Sequence, residues 1–148
     1  MNYNRPDVYR SIHKALRKAM FEFSYAVGRT DYSDELELSH LNDLFNHLIH
    51  MLNSHGEKED KICLPLLESK RPGCTAANEA EHEQIHKIIT GLQYQMLGII
   101  QFGKNVPKDR IWTFYYSVIE LVKVTNSKYR KRAFKYWNLI FVINRRCK

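Results

Sequence analysis

Residues that interrupt helices are scarce in this sequence, which contains six glycines and four prolines among 148 residues. Together with a hydrophobic fraction of 44%, this scarcity excludes a disordered chain and is typical of a folded, helix-rich protein. The length fits one domain that buries its apolar surface in a single core. We therefore expect one compact, soluble domain.

Cysteines and long apolar runs are also scarce. Cys63, Cys74 and Cys147 share no Cys-x-x-Cys spacing, which argues against a disulfide framework and against a thiolate zinc site. Nowhere do about 18 consecutive apolar residues occur, and the N-terminal residues lack an apolar run of signal-peptide length. We expect a cytoplasmic protein without a membrane span.

Acidic residues are absent from residues 128–148, where eight lysines and arginines occur. Because the whole chain carries +7, this +8 leaves residues 1–127 at −1. The basic excess therefore belongs to a tail, and nucleic acid is not the expected partner, although the tail keeps that alternative open. We predict a helical bundle over residues 1–127. Residues 128–148 are predicted to form an irregular tail, or a short appended helix, and not a separate domain.

Apolar residues recur at three- and four-residue spacing in four segments, as they do in amphipathic helices. Short polar links join these segments, so the sequence predicts an all-α, antiparallel up-down-up-down four-helix bundle. Pro65 is expected to kink the second helix near its end. The predicted helices run from Pro6 to Gly28, from Asp34 to just before Arg71, from Thr75 to Gly103, and from Asp109 to about Val122.

The same periodicity predicts which side chains face inward and which face solvent. We predict that Thr75 caps the third helix and that Cys63 is a buried small residue. Surface positions are predicted for His40, His47 and His50, which fall off the apolar face of the second helix. The predicted inward residues include Ile12 in the first helix, Ile62 and Leu66 in the second, and Ile100 in the third.

Ionisable side chains interrupt the apolar faces of three helices. His55 and Glu59 lie four residues apart, and His82 and His86 repeat that spacing, so each pair projects from one side of its helix. His13 adjoins the apolar face of the first helix. A carboxylate in a bundle core is destabilising unless it is paired or binds a metal. Imidazoles with a carboxylate suit iron, manganese, zinc or copper rather than calcium or magnesium.

The order His13, then His55-x3-Glu59, then His82-x3-His86 resembles the hemerythrin-like HHE cation-binding domain over about residues 6–122. The stretches VYRSIHKALR, SHGEKEDKICLPLLESKRPG and EAEHEQIHKII are similar to that family's first three helices. The resemblance implies a pair of irons bound by the four histidines and bridged by Glu59, with O₂ at an open position on one iron. It implies a protein that carries or senses O₂, stores or handles iron, or responds to redox or nitric oxide stress. No nucleophile with a positioned base is evident, so we expect no enzyme.

The fourth helix departs from the pattern of that family. The family would place a histidine and an acid soon after Leu121 and Val122, whereas residues 123–132 contain neither. Lys128 and Arg132 instead put positive charge near the expected site, and Tyr129 is a minor alternative ligand. The centre could therefore be dinuclear and completed by water, mononuclear, or without metal.

Two other functions remain as alternatives at this point. The first is a metal-free four-helix scaffold, in which the histidines and Glu59 are merely satisfied polar groups and the basic, aromatic tail contacts an acidic partner. The second, weaker alternative is peroxide or ferroxidase-like iron chemistry. The tail residues that would make such contacts are Lys128, Arg130, Lys131, Arg132, Tyr136 and Trp137.

Overall fold

The computed structural model describes the backbone of residues 8–145 and the side chains of residues 11–126. Within that part of the chain the backbone is helical apart from three short connections, and no strand occurs. The helices are α1 (Val8–Arg29), α2 (Glu35–Lys58), a π-helical turn (Glu59–Cys63), α3 (Leu64–Lys70), α4 (Ala76–Phe102), a 3₁₀ turn (Gly103–Asn105) and α5 (Lys108–Arg145). Because α2, the π turn and α3 follow one another without a break, they form one rod over residues 35–70.

The four rods are arranged in a square. α1 contacts α2 and α5, and α4 contacts the same two helices. The short connections between successive rods make each one antiparallel to the next. The predicted all-α, up-down-up-down four-helix bundle is therefore confirmed.

An aromatic cluster lies at the centre of the core. Phe114 of α5 is fully buried and stands edge-on to Phe23 of α1 and Phe45 of α2, with ring centroids 6.2 and 6.0 Å away. Phe23 and Phe45 are 5.7 Å apart. Such aromatic pairs add stability beyond the area that they bury. The cluster thus joins three of the four rods at one level of the bundle.

The first turns of α2 and α4 differ in whether a side chain caps them. The second helix starts at Asp34 as predicted, and Asp34 caps it, because its carboxylate accepts hydrogen bonds from the backbone N–H groups of Leu36 and Glu37 at 2.8 and 3.2 Å. Thr75 occupies the N-cap position of α4, but its side chain makes no capping bond. Its hydroxyl instead lies 2.7 Å from Glu68 Oε2, so the predicted cap by Thr75 is wrong.

The π turn changes which residues of the second rod face inward. An α-helical face would continue from Glu59 to Ile62 and Leu66, but these two side chains are 65% and 60% exposed, so their predicted inward positions are wrong. The backbone N–H of Leu64 bonds the carbonyl of Glu59, five residues earlier, and Leu64 is buried. The extra residue in the turn moves the inward position from 62 or 63 to 64. Cys63, predicted to be buried, is exposed for the same reason.

Single-residue shifts also occur in two other helices. Ile12 is exposed and His13 is buried beside it, while Ile100 is exposed and Ile99 is buried. In both places two adjacent residues can pack in a core, so the sequence alone does not decide which of the two faces inward. The prediction that His40, His47 and His50 lie at the surface is confirmed.

The predicted irregular tail is wrong for the backbone. α5 continues without interruption to Arg145. Residues 108–145 contain no glycine and no proline, so nothing in this segment breaks a helix even though its apolar periodicity fades after Val122. The side chains of Lys128, Tyr129 and the other tail residues lie outside the described ones, and the predicted boundary at residue 127 stays a prediction.

Within residues 8–145, no helix is both long and apolar enough to cross a membrane.

We predict that Phe114→Ala lowers the free energy of unfolding by about 3–5 kcal/mol, because it leaves a cavity where three rods meet. Phe21→Ala is the matched control, since Phe21 is 54% exposed and should cost less than about 1 kcal/mol. Urea unfolding followed by circular dichroism measures both. Equal losses would contradict this description of the core.

Candidate metal centre

Three side chains from two rods converge beside the core. His13 of α1 and Glu59 of the π turn are buried, and His55 of α2 is largely buried. The Nε2 atoms of His13 and His55 are 3.0 Å apart. Glu59 Oε1 lies 3.6 Å from His13 Nε2 and 3.4 Å from His55 Nε2. These three potential ligand atoms all lie within 4.8 Å of one another.

The triangle formed by these atoms fits a single first-row metal ion. Ligand atoms about 2.1 Å from a shared ion are separated by about 3.0 Å at right angles and about 3.4 Å at the tetrahedral angle. Within the described residues, Glu59 Oε1 is buried and has no hydrogen-bond partner. A buried carboxylate oxygen without a donor is destabilising, and a cation bound by Oε1 would remove that penalty. The donor set therefore fits a metal.

The electrostatics of Glu59 favour the ionised form that a metal requires. Burial by itself would raise the pKa of Glu59. The neighbouring imidazoles of His13, His55 and His82 outweigh burial and hold that pKa well below its ordinary value. The carboxylate is thus ionised wherever the protein is folded near neutral pH.

His82 of α4 approaches Glu59 from the opposite side. Its Nε2 lies 3.0 Å from Glu59 Oε2, and its Nδ1 lies 2.6 Å from Asp60 Oδ1. The hydrogen bond with Glu59 raises the pKa of His82, with a further contribution from Asp60 and against the effect of burial. The two oxygens of Glu59 therefore face different histidines: Oε1 faces His13 and His55, and Oε2 faces His82.

Asp60 is a residue of the site that the sequence reasoning did not identify. It directly follows Glu59 in the π turn, and its carboxylate fixes the orientation of the His82 ring. A carboxylate that holds the second nitrogen of a histidine is a common feature of metal sites. The available signal was a second acid next to the predicted ligand, Glu59.

His86 lies apart from the converging atoms. It is exposed and lines the rim of the cavity, one turn beyond His82 on α4. It also borders a second cleft of about 510 Å³, which is lined by the acidic residues Asp60, Glu68, Glu79 and Glu83. The structure thus brings His13, His55, Glu59 and His82 together, and the role of His86 as a ligand stays a prediction.

A small cavity of about 40 Å³ adjoins these residues. One water needs roughly 10–15 Å³ of such space, so the cavity has room for a small ligand beside an ion. Leu52, Ile85 and Ile89 supply its apolar lining. From α5 the cavity receives Thr125, whose buried hydroxyl donates to the backbone carbonyl of Leu121.

A match to a known protein family agrees with this cluster of histidines and an acid. Residues 6–118 match the family model described as the hemerythrin HHE cation-binding domain. The matched segment includes every predicted ligand: His13, His55, Glu59, His82 and His86. No curated protein and no solved structure matches the chain.

We predict that Asp60→Asn weakens cation binding about tenfold, the low end of the usual effect of losing a partner that orients a metal-site histidine, because Asp60 acts on Glu59 only through His82. Asp43→Asn is the matched control, because Asp43 is exposed on α2 and does not line the cavity. Competition with a chelating dye measures both affinities. An Asp60→Asn protein that binds as tightly as the control would show that Asp60 does not act on the site.

Proposed function

Since the chain belongs to the hemerythrin HHE cation-binding domain family, we propose that it binds non-haem iron through His13, His55 and Glu59. The observation that carries this proposal is the buried Glu59 Oε1, which has no hydrogen bond within the described residues and lies beside two imidazole Nε2 atoms. Two imidazoles and a carboxylate form a ligand set that suits iron(II). The family membership and this donor set together favour iron over calcium or magnesium.

The proposed role is to bind a diatomic ligand such as O₂, as a carrier or a sensor. Bound iron would supply the reversible binding of such a ligand. Leu52, Ile85 and Ile89 give the cavity one apolar wall beside its histidines and Glu59, a mixture typical of small-ligand sites. Its volume of about 40 Å³ suits a small ligand and not an organic substrate.

We propose that the protein is not an enzyme, and that it acts in the cytoplasm. Cys63 and Cys74 are free, in keeping with a reducing compartment. Turnover of peroxide, or oxidation of added ferrous iron over many cycles, would instead support the competing iron chemistry. Both activities can be assayed on the same iron-loaded protein.

The test of iron binding uses protein produced with ample iron and reconstituted anaerobically with ferrous iron. We expect the native protein to retain iron and His55→Ala to lose at least about 100-fold in affinity, because one of three ligands is removed. His50→Ala is the matched control, since His50 is exposed on the same helix. Elemental analysis per chain is the measurement. Native protein without iron after reconstitution would contradict the proposal and favour the metal-free scaffold.

Bound iron should also stabilise the folded state, because the ligands converge only in the folded state. At a free iron concentration about 100 times Kd, we expect the free energy of unfolding to rise by about 2.7 kcal/mol. Glu59→Gln should abolish this increment. Glu57→Gln should keep it, because Glu57 is exposed and pairs with Lys61. Anaerobic urea unfolding with and without ferrous iron measures all three proteins, and an unchanged increment in Glu59→Gln would contradict the assignment of Glu59.

A further inference from the structure

The fourth rod brings no metal-binding side chain of the expected kind to the centre. Beyond Asp109, α5 contains one acid, Glu120, which is exposed and lies 3.3 Å from Lys123. Residues 121–148 contain no histidine, aspartate or glutamate at all. At the cavity α5 places Thr125, whose hydroxyl is already bonded to its own helix. All histidine and carboxylate ligands must therefore come from the other rods.

The ligands that remain are unequally divided between the two oxygens of Glu59. Oε1 is accompanied by the Nε2 atoms of His13 and His55, which gives three ligand atoms in one triangle. Among the side chains of residues 11–126, Oε2 is accompanied by His82 alone, because His86 is exposed at the rim of the cavity. The Oε1 side of Glu59 therefore offers three ligand atoms to an ion, and the Oε2 side offers two.

His82 already holds its position through both ring nitrogens. Nδ1 lies 2.6 Å from Asp60 Oδ1 and Nε2 lies 3.0 Å from Glu59 Oε2. This pair of contacts fixes the Glu59 carboxylate so that Oε1 is directed at His13 and His55. A second ion at His82 would have to replace the contact that orients Glu59. An ion at His13 and His55 replaces only the 3.0 Å contact between those two rings and leaves Glu59 held by His82.

Charge balance also favours one ion. Two divalent ions would bring +4 to a site with one buried carboxylate, Glu59, and one partly exposed carboxylate, Asp60. Excess positive charge is poorly tolerated where solvent is excluded. The rod that would have to compensate for it carries only lysines and arginines as charged residues after Lys123.

From these observations we propose that the centre holds a single cation, bound by His13, His55 and Glu59 Oε1, and that His82 is a positioning residue that holds Glu59 through Oε2. The inference rests on the proposed metal-binding function. It differs from the dinuclear arrangement that the family resemblance implies. Two imidazoles and one carboxylate leave about three positions of an octahedral ion open for water or a small ligand.

The stoichiometry is tested by anaerobic titration of the metal-free, full-length protein with ferrous iron alone, followed by gel filtration and elemental analysis. We expect one iron per chain at saturation. Two irons per chain would overturn the inference while leaving the proposed iron-binding function intact. No bound iron would overturn the inference and the proposed function together.

The role of His82 is tested by comparing two substitutions in the same titration. A glutamine side chain can still donate a hydrogen bond to Glu59 Oε2, but it lacks the imidazole nitrogen that a ligand would use. We expect His82→Gln to bind one iron within about tenfold of the native affinity, and His82→Ala to lose about 100-fold. Equal, severe losses in both variants would show that His82 is a ligand and overturn the inference. Circular dichroism melts confirm that both variants are folded.

Discussion

The buried carboxylate of Glu59 is the constraint on which the rest of the site depends. It lies in the second rod and contacts His13 of α1 and His82 of α4, so three of the four rods meet at this carboxylate. A desolvated charge of this kind must be compensated within the protein. On the Oε2 side the compensation comes from His82, whose ring is held in turn by Asp60. On the Oε1 side no hydrogen bond is present among the described residues, and the proposed cation would complete the arrangement there.

The π turn explains how one rod can serve both the core and the site. It begins at Glu59 and inserts one residue before Leu64, so the rod returns an apolar side chain to the interior after the acid. A proline at position 65 cannot donate a hydrogen bond to the carbonyl of Lys61, and the wider turn lies where that bond would form. The same turn places Asp60 against His82. Local irregularity, ligand placement and ring orientation thus have a common origin.

Most of the fold could be predicted from the sequence because amphipathic periodicity and short polar links are local signals. The i, i+4 spacing of His55 and Glu59 predicted that both lie on one side of their rod, and the family resemblance implied that His13 joins them. The exposure of Ile62 and Leu66 could not be predicted, because an α-helical period of 3.6 residues continues the inward face through these positions and takes no account of a π turn. Asp60 was missed since its role depends on a contact between rods. A helix past residue 127 was only the alternative to an irregular tail, and the unbroken continuation of α5 was missed, because its helix propensity persists where its apolar pattern fades.

A single-ion centre differs from a symmetrical two-ion centre in one respect that a diffraction experiment can observe. Anomalous scattering collected at the iron absorption edge, from crystals of protein loaded anaerobically with ferrous iron, locates each iron directly. We predict one peak per chain, about 2.1 Å from His13 Nε2, His55 Nε2 and Glu59 Oε1. Two peaks flanking Glu59, or a single peak bound to His82 and His86, would contradict the central claim.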